Sequence, residues 1–135
     1  MDVYRRKLYA GNVQIMESVF VELPPFQRYR TDYLDDEAFR SLQSVPMKNP
    51  EAGDVIQGTG GLRKMRFGDG IRHRGKRGGI RIIYDWWQGG TQFWLFTLYG
   101  KDEQSDLSAD QRKALRRLLE WEGAARIHNE TRHFF

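Results

Sequence analysis

The strongest constraint on the fold is a pair of adjacent apolar runs, residues 80–87 (IRIIYDWW) and 91–99 (TQFWLFTLY), separated by Gln88, Gly89 and Gly90. Both are rich in β-branched and aromatic residues and are as short as ordinary strands, so they read as two strands joined by a tight hairpin connection. Trp86 and Trp87 are neighbours and must point to opposite faces of that sheet. One of the pair is left for a surface or a partner.

Around this hairpin the other elements read in order. Residues 1–15 carry Arg5, Arg6 and Lys7 without a clear amphipathic period, which predicts a loosely attached extension, with Met16 as an alternative start. Residues 18–23 form an apolar strand that stops at Pro24 and Pro25, because proline cannot continue a ladder. A short helix then runs from Pro25 to about Tyr33. A second begins at Asp35, with Leu34 and Phe39 placed as a hydrophobic staple, Phe39 and Leu42 on one face, and Pro46 and Pro50 limiting it. Asn49 to Asp54 is a turn, and Gly58 to Gly61 a flexible lead-in.

In a strand over residues 62–67, Leu62, Lys64 and Arg66 share one face, and Arg63, Met65 and Phe67 the other. Gly68 to Gly79 is then a mobile Gly- and Arg-rich loop. The last element is a helix from Ser108 to about Glu122, opened by a Ser108–Gln111 capping box and closed by Gly123, with Leu115, Leu118 and Leu119 as its core face and residues 123–135 as a tail. The expected product is an α+β domain over residues 16–122. It has a mainly antiparallel sheet of about four strands, two N-terminal helices and one C-terminal helix.

The charge is concentrated. Between Arg63 and Arg81 lie Arg63, Lys64, Arg66, Arg72, Arg74, Lys76, Arg77 and Arg81 against the single acid Asp69, although the 135-residue chain carries a net charge of only +4. The remainder is therefore net acidic. A basic band in an acidic protein is the footprint of a polyanion-binding surface, whereas a merely solvated loop mixes its signs.

The chain has no cysteine, which removes disulfides, thiolate nucleophiles and cysteine metal sites. It shows no long apolar run and no secretory signal, so a cytoplasmic protein without membrane contact is expected. His73, His128 and His133 are too scattered for a zinc site, and no cofactor is expected. Asp35, Asp36 and Glu37 suit a helix N-terminus better than acid–base catalysis.

Three segments carry a family resemblance: residues 53–67, residues 78–84, and residues 95–107 with their Leu-Tyr-Gly-Lys-Asp-Glu-Gln-Ser-Asp-Leu run. Together they resemble the HigB branch of the RelE/ParE toxin superfamily, over roughly Met16 to Glu122. The resemblance implies a RelE-like fold and a type II toxin that enters the ribosomal A site and cleaves messenger RNA. It also implies a cognate antitoxin that holds the toxin inactive. The family's basic positions fall on Lys64, Arg66, Arg81 and Lys101. Where its best-known members have a tyrosine, this chain has Ser108, which leaves Tyr99 or Tyr84 as substitutes.

Such a nuclease needs no metal, because the 2′-OH beside the scissile phosphate is the nucleophile. It needs a proton acceptor, cations for the phosphorane-like charge and a proton donor for the 5′-oxygen. Arginine's planar fork suits phosphate. Lys64, crowded by Arg66 and Arg81, is the expected base, since like charges disfavour the charged form. Lys64, Arg66, Arg81, Lys101 and Tyr99 are thus the expected catalytic set, and Arg63, Arg72, Arg74, Lys76 and Arg77 the expected grip on messenger and ribosomal RNA. Two other readings stay open: a ParE-like gyrase inhibitor, and a noncatalytic RNA- or ribosome-binding module.

Overall fold

The computed structural model describes the backbone of residues 1–133 and the side chains of residues 1–123. It is an α+β structure in which one six-stranded sheet is flanked by three helices. In chain order the elements are β1 (Asp2–Ala10), β2 (Val13–Glu22), α1 (Pro24–Tyr33), α2 (Asp36–Lys48), β3 (Asp54–Val55), β4 (Arg63–Phe67), β5 (Ile80–Trp87), β6 (Gln92–Gly100) and α3 (Ala109–His133). The strands lie in the order β1-β2-β6-β5-β4-β3. β2 and β6 are parallel, and every other pairing is antiparallel.

The sheet is therefore larger and more mixed than the four strands expected. Residues 1–15 are not a loose extension: β1 pairs with β2 from Asp2 opposite Glu22 to Ala10 opposite Val13. Gly11, at φ 61°, takes the left-handed conformation that their turn requires. Tyr4 stacks on Phe20 with ring centroids 6.1 Å apart, and its hydroxyl accepts from the Gln43 side chain at 2.7 Å. The outer row of this edge strand is charged or exposed, which is how natural sheets discourage further pairing.

The helices start where their caps dictate. Pro24 and Pro25 occupy the first turn of α1, where an amide hydrogen would have no partner. Asp35 caps α2 by accepting from the Ala38 amide at 2.7 Å, and Leu34 and Phe39 are both buried as the staple requires. Pro46 does not end α2, which continues to Lys48. The Ser108–Gln111 box forms with both hydrogen bonds, at 3.1 and 2.9 Å. Gly123 lies inside α3 rather than closing it.

Alternation along the strands gives the sheet two unlike faces. Against α1 and α2 it presents Phe20, Met65, Ile80, Ile82, Tyr84, Phe93, Leu95 and Leu98, one apolar layer shared with Phe26, Phe39 and Leu42. Trp86 joins this layer, its ring 4.4 Å from that of Phe93. Against α3 the sheet presents Val21, Ile83, Trp94, Phe96 and Tyr99, packed with Ile56, Leu62, Leu107 and Leu115. Ile83 pairs with Thr97 and Tyr84 with Leu95, so a register shift leaves Phe96 as the extra residue of β6. Among the described residues no helix is long and apolar enough to cross a membrane.

Candidate phosphate-binding site

Register alone aligns much of the expected site. Arg66 is directly opposite Arg81, and Arg81 is directly opposite Tyr99, so these three form one row across β4, β5 and β6. Lys64 lies one step along the same face, opposite Ile83. Like charges directly opposite each other on a sheet are destabilising. A basic row of this kind is retained against the packing interest of the face that carries it.

Lys64 and Arg66 open into a cavity of about 330 Å³ between β3, β4 and the first turns of α3, whose other wall holds Arg112 and Gln57. Arg66 is exposed and has no hydrogen bond or ion pair among the described residues, so its planar fork is available to an anion. Lys64 Nζ is 3.4 Å from Asp106 Oδ1, and Arg112 Nη2 is 3.1 Å from Asp106 Oδ2. Arg112 also donates to the Gln57 carbonyl at 3.2 Å, which fixes the helix against the β3 segment. The Leu107 amide that donates to Asp106, followed by Lys64 and Arg112, holds the Asp106 carboxyl below the usual carboxylate range.

This arrangement changes the role expected of Lys64. Lys64 is ion-paired to the Asp106 carboxylate, which Arg112 also engages, rather than standing among arginines alone. The Asp106 carboxylate stands beside this pocket, which Asp54 also lines, and neither acid was foreseen there from the sequence. The partner of Asp106, Lys64, is 42 positions away in the chain.

Arg81 does not present its fork to the pocket. It is 3% exposed, and its guanidinium donates to the carbonyls of Lys76 at 2.8 Å, Arg77 at 3.0 Å and Ile80 at 3.3 Å. Its pKa is lowered by burial and by the charge of Arg66. Arg81 therefore shapes the 76–80 segment behind the pocket. Lys101 is likewise turned away, its Nζ donating to the Ser105 carbonyl at 2.7 Å and closing the turn after β6.

Tyr99 is where a functional group would be unusual as mere packing. Its ring is buried, yet its hydroxyl has no hydrogen-bond partner among the described residues. Buried unsatisfied hydroxyls are rare and costly. Burial, then Asp106, raises the phenol's pKa against the opposing charges of Arg81 and Arg112, so it stays protonated at neutral pH. Tyr84, the other substitute, is fully committed: it accepts from the Gly53 amide at 3.0 Å and donates to the Pro50 carbonyl at 2.9 Å.

The 68–79 loop carries hydrogen bonds of its own. Asp69 and Arg74 exchange two backbone hydrogen bonds at 2.7 and 2.8 Å, and the buried Asp69 carboxylate accepts from the Arg72 amide and guanidinium at 3.1 and 3.0 Å. Gly79 is needed there, since a Cβ would lie 2.3 Å from the Phe67 carbonyl oxygen. Of the cations expected to grip RNA, Arg63 donates to the Gly53 carbonyl, Arg72 pairs with Asp69 and Arg74 with Asp102. Lys76 and Arg77 are exposed, with no side-chain partner among the described residues.

His73 sits exposed at the tip of this loop at φ 54°, while the side chains of His128 and His133 lie outside the described residues. Among the described residues no three His, Cys, Asp or Glu side chains are grouped to hold a metal ion. No protein-family model matches the chain.

Proposed function

We propose that this protein is an RNA-binding endoribonuclease that uses the 2′-OH of its substrate as nucleophile. More particularly, we read it as a RelE/HigB-type toxin that cleaves messenger RNA in the ribosomal A site, with a cognate antitoxin as its inhibitor. The observation that carries the reading is an open pocket lined by Lys64, Arg66 and Arg112 beside the one acid Asp54, with Asp106 paired to Lys64 and Arg112.

In this scheme Arg66 and Arg112 clamp the non-bridging phosphate oxygens, and Lys64 adds a third positive charge as the pentacoordinate state forms. The 2′-oxygen attacks phosphorus, giving its proton to the Asp106 carboxylate. The bond to the 5′-oxygen breaks, and that oxygen takes a proton from solvent. The products are a 2′,3′-cyclic phosphate and a 5′-hydroxyl. Positioning of the message by the ribosome supplies the in-line geometry, a large share of the barrier in reactions of this kind.

Engagement of Arg81 and Lys101 by the protein's own carbonyls favours one alternative, a module that binds phosphate without cutting. The test adds purified protein to ribosomes programmed with a defined message and reads the new ends. Cyclic phosphate and 5′-hydroxyl ends, abolished by a 2′-deoxy substitution at the cut, are expected. Intact message on protein-bound ribosomes would leave the binding module, and intact message with arrested gyrase supercoiling would leave the gyrase inhibitor.

A further inference from the structure

The phosphate pocket has a neighbour along α3. A cavity of about 430 Å³ lies between the first turns of that helix and the segment after β3, lined by Gln57, Gly58, Ala109, Arg112, Lys113 and Arg116. Gln57 and Arg112 also line the phosphate pocket, so the two cavities adjoin with Arg112 between them. Three of the residues lining the α3 groove are cations, and among the described residues no acid lines it.

The wall opposite the helix is already pinned. The Ile56 amide donates to the Leu62 carbonyl at 2.8 Å. The Thr59 hydroxyl donates to the Ile56 carbonyl at 2.7 Å and accepts from the Leu62 amide at 3.1 Å. Gly60, at φ 83°, comes so close to α3 that a Cβ there would lie 3.5 Å from Leu119 and 3.8 Å from Arg116. On the helix side Lys113 is exposed, with no hydrogen bond or ion pair among the described residues. Arg116 is paired with Glu120 at 3.2 Å, both side chains exposed, where solvent and salt make such a pair weak.

Helix stability does not account for these cations. Within residues 109–118, Arg112, Lys113, Arg116 and Arg117 face the single acid Asp110. Arg112 with Arg116, and Lys113 with Arg117, are like charges four positions apart, which repel on a helix surface. They also crowd the N-terminal turns, where the helix dipole favours anions over cations. An anion in the groove relieves both penalties. From Arg112 to Arg116 the helix rises about 6 Å, a step of the size that separates neighbouring phosphates on an extended single strand.

We infer that the α3 groove is a second phosphate subsite. It holds the backbone phosphate next to the one in the Lys64–Arg66–Arg112 pocket, so the chain grips two successive phosphates of one RNA strand without the ribosome. This rests on the RNA-binding reading of that pocket. Arg112 stands between the two phosphates, and Lys113 and Arg116 neutralise the second. The grip is electrostatic and independent of base sequence.

The test uses the full chain and an RNA tetranucleotide whose 2′-O-methyl groups prevent cutting, with binding followed by fluorescence anisotropy over a salt series. Each phosphate contact on a single strand steepens the fall of log K with log salt by about 0.7. The double variant Lys113→Ala/Arg116→Ala should bind about tenfold more weakly than wild type at low salt and lose about 0.7 of the slope. Its thermal unfolding should be unchanged or raised, because like charges are relieved. Arg117→Ala removes a charge from the same helix outside the groove and should keep the wild-type slope. No binding by the wild type, an unchanged slope in the double variant, or an equal loss in Arg117→Ala would overturn the subsite. A reduced slope with messages left uncut would sink the nuclease and keep the subsite; cut messages with an unchanged slope would do the reverse.

Discussion

The two faces of the central sheet are built on the same strands and do opposite things. The face under α1 and α2 is sealed, with Phe20, Ile82, Tyr84 and Phe93 fully buried and stacked rings running from Tyr4 through Phe20 to Phe93. The face under α3 is sealed over Val21, Ile83, Trp94, Phe96 and Tyr99. Beyond them it carries Lys64 and Arg66 at an open pocket, with Arg66 opposed to the buried Arg81. Burial drives the first face. The uncovered end of the second keeps charges together that packing alone would separate, and local conflict of this kind concentrates at functional sites.

The comparison breaks most sharply under substitution. Phe20→Ala should lower stability by about 3–5 kcal/mol through lost burial and a residual cavity, read by urea denaturation. Should the loss be under about 1 kcal/mol, the sealed face is not the source of the fold's stability. Arg66→Ala should leave stability within about 0.5 kcal/mol of the wild type, and upward if anything, because it relieves the opposition to Arg81. The same change should slow message cleavage by about 10²-fold, as does the loss of one donor to a developing oxyanion.

Tyr99→Phe sharpens the contrast further. Removing a buried hydroxyl that bonds to nothing should raise stability by about 1 kcal/mol. Cleavage should change by less than about twofold, because that hydroxyl is closed off and does not line the phosphate pocket. A destabilised variant would mean that the phenol has a bonding partner and belongs to the core.

A small effect on stability is expected at Asp106. Its carboxyl is depressed in the fold, so it adds stability at neutral pH that is lost as pH falls from the ordinary carboxylate range down through the lowered value. The group is half exposed and solvent screens it, so the contribution is small. Wild type and Asp106→Asn should therefore differ modestly at pH 7 and converge in strong acid. Cleavage by the wild type should stay level towards acid until this carboxyl takes up its proton.

Local signals were enough for much of this architecture. The β5–β6 hairpin, the staple of α2, the capping box of α3 and the division of β4 into a basic and an apolar face all follow from spacing and composition. β1 escaped because its half-buried positions are Tyr4, Arg6 and Leu8, an alternation blurred by the arginine and by charges at Arg5 and Lys7. An edge strand buries too little to impose a pattern. Gly11, between two such runs, was the available clue.

The site was half legible for a related reason. Period-two reasoning puts Lys64 and Arg66 on one side of β4, and register extends the row to Arg81 and Tyr99. Where the side chains go from there depends on long-range partners that no local period reports. Arg81 folds back onto carbonyls of the preceding loop. Asp106 and Arg112 enter from segments beyond β6, 42 residues from Lys64 and 55 from Gln57.

The central claim is that RNA phosphate is bound and cut at the uncovered end of the α3 face. The most direct measurement is primer-extension mapping of cellular messages after brief induction of the wild type and of Arg66→Ala. Cuts in phase with codons in the first, and their loss in the second at equal protein level, are the predicted result. Intact messages under the wild type, or an unchanged cut pattern with Arg66→Ala, would contradict it.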